Sequence, residues 1–149
     1  YLNTTKKKYD VIYGDAFSSM FSIPFHLTTR EAVQRKYDVL TDDGVVVLNM
    51  ISAVEGEKSD FLRAEYHTYK SIFPHVYLFP VREPKKPEEV QNVMLVALKS
   101  RKKPKLGSSD IQRNFQLRHV YTGTIPNDLP ILTDDYAPVE HYNGSVLKK

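Results

Sequence analysis

The 149-residue chain has no cysteine. Disulfides, thiolate metal sites and cysteine nucleophiles are therefore excluded. No apolar run approaches the roughly eighteen residues a membrane-crossing helix needs, and no signal peptide is visible. No membrane span is expected in this chain, and a cytoplasmic location is. There is no G-x-G-x-x-G and no P-loop, so nothing here forms a dinucleotide or triphosphate cradle. No G-x-S-x-G elbow supports a hydrolase triad. His26, His67, His75, His119 and His141 lack metal-ligand spacing, so no metal is expected. An excess of one charge is also missing: the formal net charge is only +3. Much of the basic excess sits in Lys6-Lys7-Lys8, Lys85-Lys86 and Arg101-Lys102-Lys103 with Lys105. Each cluster falls where a loop or element end is expected, which reads as solvated charge and not as a nucleic-acid surface.

What remains is ordinary for one soluble domain, with 41% hydrophobic and 26% charged residues and enough length for a real core. The stretch Tyr9-Asp10-Val11-Ile12-Tyr13-Gly14-Asp15 organises the reading. Tyr9 to Tyr13 is a short apolar, β-rich run, as in a parallel strand covered on both faces. Asp15 stands just past its end, where open parallel sheets bind ligands. An aspartate there can equally be a turn or cap residue.

Ser18 to His26 is an apolar loop, which suggests that it lies over a pocket or a partner. Thr28-Thr29-Arg30-Glu31 has capping-box spacing, and Val33, Tyr37 and Leu40 give the following helix one apolar stripe. Thr41-Asp42-Asp43-Gly44 reads as a turn with glycine ready for a positive φ. Val45 to Ile51 is the most apolar and β-branched run, hence a central strand. Leu62, Tyr66, Tyr69 and Phe73 mark a second helix, ended before Pro74. His75 to Val81 and Asn92 to Leu98 are strands joined by a connection too short for a helix, which predicts an antiparallel pair. The order β-α-β-α-β-β predicts an α/β layered domain with right-handed crossovers. Residues 1–99 are expected to form that domain. Residues 100–149 are expected to be a linker, a short helix capped at Ser109-Asp110, and a tail packing on the domain. In the tail, Asp134, Asp135 and Glu140 could be cap and ion-pair residues or could converge on a ligand amine.

Several of these stretches, in order, resemble spermidine synthase-like proteins. They are Tyr9 to Phe17, Ile23 to Glu31, Asp43 to Asn49, Phe73 to Pro80, Gln91 to Val96 and Leu132 to Glu140. The last is similar to the branch often fused to membrane segments. The resemblance implies the carboxyl-terminal half of a class I methyltransferase-like Rossmann sheet, mostly parallel with a final antiparallel strand. It implies aminopropyl transfer from decarboxylated S-adenosylmethionine to a diamine or other amine. It also places Asp15 at the catalytic aspartate, Ala16 and Phe17 beside the co-substrate, and Ser18, Asp134, Asp135 and Glu140 near the acceptor. The family's second loop carboxylate is replaced by Ser18, and no tyrosine occurs in Glu83 to Val90. The glycine-rich loop and the acidic strand end that hold the cofactor in this fold are not in the chain. The expectation is thus a fragment, inactive alone, that needs an amino-terminal half or a second copy at its exposed sheet edge. Two alternatives stand beside it: an S-adenosylmethionine-dependent methyltransferase-like domain and a non-catalytic self-associating domain.

Overall fold

The computed structural model describes residues 5–17, 24–82, 86–102, 104 and 119–147. The element order is β1 (Tyr9–Phe17), α1 (Arg30–Val39), β2 (Leu40–Ser52), α2 (Asp60–Lys70), β3 (His75–Pro80), β4 (Gln91–Leu98) and α3 (Val139–Leu147). One four-stranded sheet has the order β1-β2-β4-β3. β1 and β2 are parallel. β4 is antiparallel to both β2 and β3, so it runs against the other three. The expected α/β order and the final antiparallel pair are both present. The sequence pattern did not show that β4 inserts between β2 and β3.

Period-two burial explains the layering. Val46, Leu48 and Met50 of β2, Val76 and Leu78 of β3, and Val93, Leu95 and Ala97 of β4 are buried on one face. They pack with Val33 of α1 and Phe61, Leu62, Ala64 and Tyr69 of α2 in a single core. Each such valine, leucine, methionine or phenylalanine side chain contributes about 1.5–3 kcal/mol when fully buried. Right-handed crossovers running the same way across a sheet place their helices on the same face. α1 and α2 do touch each other.

The other face is different. Val45, Val47, Ile51, Tyr77, Phe79, Met94, Val96 and Leu98 are half-buried, and Val11 and Tyr13 are 57% and 60% exposed. Among the described residues, β1 is therefore not covered on both faces as expected. The run lacks polar alternation, yet β1 is an edge strand whose described partner is β2 alone, and no described helix covers its Val11–Tyr13 side.

Two element ends also differ from expectation. β1 continues through Phe17, so Asp15 lies within the strand and not past it. Thr41 to Gly44 belongs to β2, and Gly56 is the one described glycine with positive φ. The pairing jumps from Tyr9↔Leu40 to Val11↔Val45, so the turn-like residues form a bulge in the strand. Gly44 is required there for closeness: a Cβ would lie 2.9 Å from the Leu40 side chain and from the Thr41 carbonyl oxygen.

The tail adds Ile125, Leu132, Val139 and Tyr142 to the core. Tyr121 N–H donates to the Leu78 carbonyl at 2.8 Å, which ties the tail to β3. The helix α3 was not legible in the weak periodicity of 122–149, and the helix expected from Ser109 to His119 lies largely outside the described residues.

Candidate active site at the carboxyl edge of the sheet

Asp15 sits near the carboxyl end of β1, exposed, on the open face of the sheet. The Asn49 side chain, one strand over on β2, donates from Nδ2 to Asp15 Oδ1 at 2.9 Å. On the far side of β2, Asn92 of β4 donates from Nδ2 to Asn49 Oδ1 at 2.9 Å. Asn49 pairs with Met94 and Asn92 with Ile51 in the β2–β4 ladder, which makes the two asparagines diagonal neighbours on one face. A carboxylate is thus held at the edge where parallel sheets bind ligands, by a row of hydrogen bonds crossing three strands. Sequence reading missed Asn49 and Asn92. The available signal was a carboxamide inside the otherwise apolar run Val45 to Ile51.

The other expected site residues are placed as follows. Phe17 ends β1 and pairs with Met50, with Ala16 just before it, so both backbones adjoin Asp15. Ser18 lies outside the described residues. Asp134 is at the tip of a tight turn closed by reciprocal Thr133–Tyr136 backbone bonds of 2.9 and 3.0 Å. Its Oδ1 accepts from Thr29 Oγ1 at 2.6 Å, and its N–H donates to Glu31 Oε2 at 3.1 Å. Thr29 is the N-cap of α1 and accepts from Ala32 N–H. The capping box therefore departs from the expected form: Thr28 donates to the Phe25 carbonyl, and Glu31 meets the tail and not Thr28. Asp135 is exposed beside Asp134, and Glu140 is exposed in the first turn of α3. The contacts shown tie Asp134 to α1, and they tie Asp15 to Asn49.

Beside the turn Phe25–Leu27, ahead of α1, lies a buried polar cluster. Lys36 Nζ donates to the Leu27 carbonyl at 2.8 Å and to Tyr69 Oη at 2.7 Å. Glu65 is fully buried, and neither carboxyl oxygen has a hydrogen-bond partner among the described residues. Burial pushes its pKa up to about 8, with the Lys36 charge opposing. Burial pushes Lys36 down, with Glu65 opposing, and pushes Tyr69 up. Dry surroundings disfavour the charged form of each group. Elsewhere, the Tyr121 hydroxyl donates to Glu55, just past the end of β2; burial and that bond raise the tyrosine to about 12. Among the described residues no three histidine, aspartate or glutamate side chains gather to hold a metal, and no helix is long and apolar enough to cross a membrane.

This fold has counterparts among solved structures. The chain superposes on a probable spermidine synthase from Corynebacterium glutamicum with a TM-score of 0.58 at 20% identity, over 84% of this chain and 43% of that one. The fold is the methyltransferase-type Rossmann sheet. Human methyltransferase-like protein 13, in complex with SAH, shares that sheet with a TM-score of 0.51 at 19% identity, over 91% of this chain and 60% of the other. In sequence the chain is 34% identical over 92 residues to the polyamine aminopropyltransferase of Vibrio vulnificus (strain CMCP6), covering 62% of this chain. No family model matches. The chain spans 27% of that relative's length, so it corresponds to one portion of the Rossmann sheet-containing proteins it resembles. Within that sheet, Asp15 occupies the carboxyl edge beside the parallel β1–β2 pair.

Proposed function

We propose that Asp15 is the general base of an aminopropyltransferase-like site acting on decarboxylated S-adenosylmethionine and a diamine. The observation that carries this reading is the Asp15 carboxylate held at the carboxyl edge of the sheet by Asn49. The likeness to a polyamine aminopropyltransferase supports it. In the reaction, the acceptor nitrogen's lone pair attacks the aminopropyl carbon bound to the sulfonium. The C–N bond forms as the C–S bond breaks, and the electron pair returns to sulfur to leave neutral methylthioadenosine. The proton lost by the acceptor nitrogen passes to Asp15. The same carboxylate favours a nearby sulfonium electrostatically. Ala16 and Phe17 are assigned to the co-substrate. Asp134, Asp135 and Glu140 are assigned to the acceptor side, with Asp134 also fastening α1.

The given sequence contains no glycine-rich turn for the adenosyl group, and among the described residues one sheet face and the β1 edge expose apolar groups. We therefore propose that the working site is completed by a further sheet half covering that face, or by a second copy of the chain. Asp15→Asn is expected to lower turnover by about 10²–10⁴-fold while leaving the melting temperature nearly unchanged, as measured with full-length protein. Retained turnover would remove Asp15 from this role. Methyl transfer from ordinary S-adenosylmethionine, without aminopropyl transfer, would replace this reading with a methyltransferase.

A further inference from the structure

Building on the assignment of Asp15 as base, we propose that Asn92 sets the direction of the Asn49 carboxamide and so fixes the base in its reactive orientation. Asn49 and Asn92 are positioning residues. A carboxamide donates from one end and accepts at the other, while the two ends have nearly the same shape. Packing alone therefore cannot decide which end meets Asp15. Hydrogen-bond direction can. An ionised carboxylate only accepts, so the Asn49 NH2 group must face Asp15, as it does at 2.9 Å. The Asn49 oxygen is then turned toward β4, where Asn92 supplies the donor at 2.9 Å. The reverse orientation would set oxygen against oxygen at Asp15. Both asparagines are fixed to neighbouring strands in continuous register from Val45↔Leu98 to Ser52↔Gln91. The carboxylate is thereby referenced to the middle of the sheet, although it stands on an edge strand.

The arrangement predicts an unusual order of mutant effects. Asn92→Asp is nearly isosteric but can only accept, so it draws the Asn49 NH2 group away and turns the oxygen toward Asp15. It should lower turnover about 100-fold, the scale of a 1 Å misplacement, with KM for the sulfonium substrate little changed. Asn92→Leu removes the donor but leaves Asp15 to orient Asn49, so its loss should be about tenfold or less. In an Asn49→Leu background, Asn92→Asp should have almost no further effect. An effect that persists there would show simple charge repulsion, and a leucine variant as damaging as the aspartate one would show a packing role. Either result overturns the proposal.

The proposal can be separated from the reaction itself by side-chain 15N–1H spectra of the chain. The Asn49 NH2 signals should move on Asp15→Asn and on Asn92→Asp, with the backbone spectrum otherwise preserved. Signals that ignore both substitutions would overturn the relay whatever the enzyme assay shows. Moved signals without aminopropyl transfer would leave the relay standing and remove the reaction.

Discussion

At the scale of single residues, two carboxylates have opposite surroundings. Asp15 is exposed and accepts from a carboxamide, which suits the substrate-facing role proposed for it. Glu65 is sealed in the core without a hydrogen-bond partner among the described residues. In the unfolded chain Glu65 loses its proton near its ordinary value of 4.5, whereas in the native protein it keeps the proton to about 8. Between those values the native state binds the extra proton. The contribution of Glu65 to stability is therefore fully present below about pH 4.5, falls as pH rises toward 8, and is level above that. The slope is at most about 1.4 kcal/mol per pH unit. Glu65→Gln removes this decline, so denaturant unfolding should show the variant gaining on the native protein by a few kcal/mol over that window. Parallel pH profiles would contradict the buried, protonated carboxyl. The strand that carries Asp15 was legible in sequence because its apolar run is a local pattern, although it continues past Asp15 to Phe17. The Lys36–Glu65–Tyr69 cluster was not, because its members come from two helices that only tertiary packing brings together.

At the scale of elements, the start of α1 is the best-determined junction. Thr29 caps the helix and also donates to Asp134, 105 residues on. Arg30 N–H donates to the Leu132 carbonyl, and Leu132 N–H to Thr68 of α2. Thr29→Ala should cost about 0.5–2 kcal/mol from the lost cap. Asp134→Ala should cost less by itself, and the double variant should fall short of the sum by at least about 0.5 kcal/mol. Additive losses in thermal unfolding would show that cap and tail act separately. The helix was legible because its signals are local: a threonine pair, a glutamate and an apolar stripe. Its cap was misread by one residue because Glu31 has a partner in the tail, which spacing could not reveal. Gly44 was misread for a related reason. The turn composition Thr41–Gly44 was correctly seen as irregular, but its role is close approach inside a strand bulge.

At the scale of the whole molecule, the sheet has a finished side and an unfinished one. Helices and tail cover one face, and the tail is tied to β3 through Tyr121. The opposite face exposes Val11 and Tyr13 on β1, an edge strand among the described residues. Such a face with an open edge favours association. Sedimentation of the chain alone should show self-association, and Val11→Lys with Tyr13→Lys should shift it toward monomer without lowering the unfolding midpoint. A native chain that is monomeric at high concentration would contradict this. The α/β class was legible from alternating periods along the chain. The position of β4 between β2 and β3, and the exposed side of β1, were not, because both depend on which strands lie next to one another. Product analysis of full-length protein supplied with decarboxylated S-adenosylmethionine and putrescine should give equimolar aminopropylated amine and methylthioadenosine, lost in Asp15→Asn. Undiminished product in that variant, or none from the native protein, would contradict the proposed role of Asp15.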